Sequence, residues 1–175
     1  MATTLTVNAV TANMQWTLQN TPAGLNPISS QNQVNYSSGG LTNGTGAAGT
    51  ANLVYAVQSV IAASGTLTIT FSSAGSLKDQ FGGATTFARL KFLFVNNTNL
   101  TASTGISIGN ASQPLPIFSA GSATLTINNN GVFLTGDPGA AGIAVGLGAT
   151  DQLLVTNLDG SHSATVMIVA IGSTA

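Results

Sequence analysis

Beyond about residue 52, large apolar residues fall at every second position. Leu67, Ile69 and Phe71 alternate with Thr66, Thr68 and Thr70, and Leu125 and Ile127 alternate with Thr124 and Thr126. Leu90, Phe92 and Phe94 alternate with Arg89, Lys91 and Leu93. This period puts the large residues on one face of a strand. Thr, Val and Ile, stiff at χ1, suit a pleated surface better than a helix. No stretch carries a sustained helical stripe, so the chain reads as all-β. The pattern predicts strands near 53–62, 65–71, 86–96, 105–109, 115–118, 123–127, 131–135, 143–146, 152–157 and 163–171.

The turns agree with this reading. Asn130-Gly131 and Asp159-Gly160 favour positive φ and predict hairpins, and Gly136-Asp137-Pro138-Gly139 marks another reversal. Short strands at this spacing fit two packed antiparallel sheets, a β-sandwich of jelly-roll-like form over residues 52–175. Residues 1–51 differ. They carry no charge, and Thr21 to Thr50 is rich in Gly, Ser and Asn. Leu5, Val7 and Ala9 alternate over one short strand. An extended N-terminal arm that orders against a neighbouring subunit fits this segment, and so does a long surface loop. The arm is favoured because long structureless loops are uncommon inside compact domains.

Charge narrows the function classes. Of 175 residues only three are Lys or Arg and four are Asp or Glu, and all four acids are Asp. Three basic residues cannot neutralise many phosphates, which argues against nucleic acid as a partner. A net charge of −1 gives little repulsion between copies, so a chain of this kind is expected to live assembled. There is no cysteine, which excludes disulfides, thiol nucleophiles and Cys-based zinc sites. No apolar run approaches the length of a membrane helix, and no basic segment precedes an apolar one as in a signal peptide. A chain made in the cytosol, with no membrane partner, is expected.

Candidate chemistry is sparse. The one histidine, His162, follows Asp159-Gly160 between Ser161 and Ser163, where a solvated loop histidine is the simplest reading. Asp79, Asp137, Asp151 and Asp159 all lie beside turns or strand ends, where Asp binds local backbone. A calcium site drawn from these carboxylates has no supporting spacing. Gly142–Gly148 is glycine-rich but lacks the Lys-Ser/Thr of a phosphate loop. The chain is therefore expected to be no enzyme and to hold no cofactor or metal. Arg89 and Lys91, on the face opposite Leu90, Phe92 and Phe94, offer either a solvated sheet face or polar anchors for an acidic partner. Trp16 and Tyr36, in the uncharged arm, are the other candidate interface residues.

From Leu53 to the end the pattern resembles small β-sandwich virion proteins of tailed bacteriophages. The resemblance rests on Leu53-Val54-Tyr55-Ala56 and on Phe87-Ala88-Arg89-Leu90-Lys91 followed by Val95-Asn96-Asn97. Gly131-Val132-Phe133-Leu134 and the closing Asp151-Gln152-Leu153-Leu154-Val155-Thr156-Asn157 complete it. It implies a capsid decoration or cement protein on the head surface, homotrimeric, with the major capsid protein and its own copies as partners. A tail or fibre component is the alternative it leaves open. It transfers no catalytic residue. A carbohydrate- or surface-binding module is a reading of another class, and would need exposed aromatics such as Trp16, Tyr36 and Tyr55 gathered on one face.

Overall fold

Backbone pairing decides how the predicted strands are used. The computed structural model describes residues 5–20, 28–37, 39–73, 77–79, 82–100, 105–118 and 122–175. Among these there is no helix, and so none long and apolar enough to cross a membrane. The main strands after residue 52 are β5 (Leu53–Ile61), β6 (Thr66–Thr70), β9 (Arg89–Asn97), β10 (Ile106–Gly109), β11 (Thr124–Ile127), β12 (Val132–Gly136), β14 (Gln152–Asn157) and β15 (Ala164–Ser173). Short pieces fill the numbering: β3 (Thr42–Asn43) with β4 (Thr50–Ala51), β7 (Leu77–Lys78) with β8 (Ala84–Thr85), and β13 (Ile143–Ala144) beside β9. A long hairpin, β1 (Thr11–Asn20) with β2 (Ile28–Ser37), precedes them.

The strands form a four-stranded sheet in the order β11-β10-β14-β6 and a five-stranded sheet in the order β12-β9-β15-β5, with β13 also on β9. The antiparallel pairs are nested in sequence: β5 with β15, β6 with β14, β9 with β12 and β10 with β11. The all-β sandwich expectation holds. Its core is shared by the two inner faces, with Ile69, Ile106, Ile108, Leu153 and Val155 from one sheet and Leu93, Val95, Val166, Ile168 and Ala170 from the other. Phe71 and Phe87 meet edge to face within it, with centroids 5.8 Å apart.

Several local expectations are corrected. Asn130-Gly131 and Asp159-Gly160 do not close hairpins. The first joins β11 to β12 and the second β14 to β15, and each pair is split between the two sheets. The positive φ expected at both dipeptides is found at Asn130 alone, at 55°, where the Gly131 amide donates to the Asn128 carbonyl at 2.9 Å; Gly131, Asp159 and Gly160 do not take it. A turn reverses the chain, but it does not choose the next partner. Residues 115–118 form no strand. Pro114 makes one isolated bridge to Gln152, and the Phe118 amide turns back onto the Leu115 carbonyl. Pro114 and Pro116 lack the N–H groups a ladder would need. Of the strand expected around Leu5–Ala9, only Val7 bridges, to Leu41.

Candidate interaction surface

The two sheets differ on their outer faces. On the four-stranded sheet the outward positions include Thr66, Thr68, Ser107, Thr126 and Thr156 with the single half-buried Leu154, a largely polar set usual for a solvated face. On the five-stranded sheet they are mostly apolar. Register aligns Phe92, Ile171 and Val54 in one row, then Leu134, Phe94, Val169 and Ala56, then Val132, Asn96, Met167 and Gln58. This sheet carries apolar residues on both faces and so requires cover on both.

The chain covers one end of that face itself. Leu41, Ala51 and Phe92 form a second buried cluster, with Leu5, Val7, Val10 and Ile171 packed against it. Backbone bonds fasten this cover. Val7 and Leu41 exchange both hydrogen bonds, the Gly49 amide donates to the Pro138 carbonyl, and the Asn52 amide donates to the Gly172 carbonyl. Residues 5–10 and 39–51 are thus part of the sandwich, while hairpin β1/β2 belongs to neither large sheet. Cover then thins along the face. Phe94, Leu134 and Val169 are half-buried and, with Val10 and Thr11, line an open apolar groove of about 350 Å³. Val132, Met167 and Val60 are exposed, at 63%, 40% and 69%.

The four candidate interface residues are not brought together. Tyr36 pairs with Ala12 at the hairpin root, is half exposed, and borders a groove shared with Phe92 and Leu134. Trp16 pairs with Asn32 further along the hairpin, and its side chain lies outside the described set. Arg89 and Lys91 do not form the solvated face that was one of the two readings of their alternation. Between Leu90 and Phe92, β9 has one residue more than β15, a β-bulge that shifts the register. Lys91 is fully buried. Its ammonium donates to the carbonyls of Gly139 and Ala140, while the Arg89 guanidinium donates to the Ala141 carbonyl at 2.5 Å. Burial, and secondarily the Arg89 charge, lowers the Lys91 pKa from its usual value, against an opposing pull from Asp137. The bulge also displaces Phe92 and Phe94, expected on the face of Leu90, to the outer face. Gly172 sits opposite it because a Cβ there would run into the Arg89 carbonyl.

The carboxylates serve turns, as their positions suggested. Asp79 accepts from the Gly83 amide at 2.7 Å and Asp137 from the Gly139 amide at 2.8 Å. Asp159 accepts from the amides of Ser161 and His162, and its other oxygen meets His162 Nδ1 at 2.9 Å. The histidine ring is largely exposed and Asp159 is buried. Asp151 binds the Ser72 hydroxyl and the Gly148 amide. Among the described residues no three metal-ligating side chains converge. Tyr55, an aromatic candidate for a glycan platform, packs against the core instead.

Sequence alone did not single out the outer face of the five-stranded sheet. Its signal was present in β15, where Val166, Ile168 and Ala170 alternate with Met167, Val169 and Ile171, so that neither face is polar. Comparison with protein-family models, with curated proteins and with solved structures returned no match.

Proposed function

We propose that this chain is a structural, non-catalytic virion protein, a capsid decoration or cement protein that binds the major capsid protein and its own copies. One observation carries the reading: a sheet whose outward face is mostly apolar and uncharged, only partly covered by its own chain. Burying such surface stabilises an assembly by roughly 25 cal/mol per Å², repeated over many symmetric copies. The nested strand pairing supports it as well, since a double strand rolled into two sheets is the jelly-roll arrangement found among capsid and lectin domains. The Thr-rich outer face of the other sheet suits exposure to water on the particle surface. A homotrimer is the copy number we favour, with the hairpin reaching between neighbours.

The test is to fractionate purified virus particles into heads and tails and probe each with an antibody raised against the chain. The chain is expected with the heads. Recovery with the tails would favour a tail or fibre component, and absence from particles would overturn the virion reading.

A further inference from the structure

Hairpin β1/β2 presents a second apolar face. In its register Ala12 opposes Tyr36, Met14 opposes Val34, Trp16 opposes Asn32 and Leu18 opposes Ser30. Alternation puts Ala12, Met14 and Tyr36 on one side of the ribbon. The other side takes Thr11, Asn13 and Gln15 with Ser37, Asn35 and Gln33, all of them polar. An isolated two-stranded hairpin is marginal in water, and a ribbon this amphipathic needs a surface to lie on. Ala12 and Tyr36 border the groove over Phe92 and Leu134, but Met14 is already 68% exposed.

We infer that the apolar face of this hairpin docks on the uncovered outer face of the five-stranded sheet of a second copy. The receiving surface is the exposed end carrying Val60, Val132 and Met167, continuous with the groove of Phe94, Leu134 and Val169. Three features select a second copy. Each chain carries both halves, one apolar ribbon and one apolar sheet face. Neither half bears a charged residue, so docking desolvates no ion. The docked hairpin would extend the cover that residues 5–10 and 39–51 already give the same sheet in their own chain. The inference rests on the self-association part of the proposed function and specifies where the hairpin lands, but it does not need the virion part.

The absence of cysteine makes the test direct. Copies carrying Met14→Cys are mixed under mild oxidation with copies carrying Met167→Cys and a fused mass tag. The mixed disulfide should form several-fold faster than with Gln15→Cys, which lies on the polar side of the ribbon. In light scattering, Met14→Asp and Met167→Asp should each weaken self-association roughly ten- to hundredfold, while Gln15→Asp leaves it unchanged. No excess over the Gln15→Cys control would overturn the inference. So would a double variant, Met14→Cys with Met167→Cys, that closes within one chain while its mass stays monomeric. Either failure leaves the head-and-tail fractionation result standing.

Discussion

At the scale of single residues, buried amides hold the ends of the sandwich. Asn157 ends β14, is 1% exposed, and donates to the carbonyls of Ile61, Ala62 and His162. It thereby ties the β5–β6 crossover to the β14–β15 crossover, while its own oxygen accepts from the Asp159 amide at 3.0 Å. Asn97 does similar work on β9, donating to the Ile127 carbonyl where β11 leaves its sheet. Asn157→Ala should cost about 2–4 kcal/mol, because several buried backbone groups lose their partner together. Urea unfolding would measure it, and a loss under ~1 kcal/mol would show that those groups find water instead. Lys91 gives a pH signature. Its proton is held less tightly in the folded chain than in the unfolded one, so unfolding takes up a proton between the lowered value and the ordinary 10.5. Stability from this group therefore rises with pH across that window. Lys91→Met should lack the rise when the two proteins are unfolded in urea at several pH values. Tyr55, whose pKa burial raises, acts in the opposite sense above its ordinary 10.0 and cancels in the comparison. The turn roles of Asp79, Asp137 and Asp159 were legible because they depend on near neighbours, whereas the bond of Asp151 to Ser72 crosses 79 positions and was not. The burial of Lys91 was not, because it depends on a bulge against β15, a strand far along the chain.

At the scale of elements, the N-terminal fifty residues separate into a fixed part and a projecting part. Leu41 and Ala51 are buried on Phe92, whereas the hairpin between them and Val10 pairs only with itself in sheet terms. Replacing residues 12–36 by a short Gly-Ser linker should leave the melting temperature of the sandwich nearly unchanged at concentrations too low for self-association. Leu41→Ala should destabilise it by about 2–4 kcal/mol through the cavity left over Phe92. Calorimetry on the two variants distinguishes this division from an arm that ends at residue 51. Most strands after residue 52 were readable, because a period of two sustained along a segment fits the pleat of a strand and not the turn of a helix. The hairpin was overlooked although Ala12, Met14, Trp16 and Leu18 alternate, since the Asn, Gln and Ser around them resemble a loop. Residues 115–118 erred the other way, their apolar side chains outweighing two prolines.

For the whole molecule, the sequence by itself determined the class and the punctuation: an all-β chain, where its main strands run, where it reverses, and which carboxylates serve turns. These follow from pleat alternation and from backbone preferences of Gly, Asn, Asp and Pro, which act over a few residues. Only the tertiary structure decided which strands share a sheet. Asn130-Gly131 and Asp159-Gly160 became crossovers because each sheet must bury its inner face against the other, and strands on either side of one turn can satisfy that from opposite sheets. It likewise decided which apolar residues are left outside. Val169 and Ile168 are chemically alike and adjacent, yet one lines an open groove and the other lies in the core. Hydrophobicity marks a residue for burial, but the packing of the two sheets and the reach of the N-terminal segment determine which surface is still uncovered.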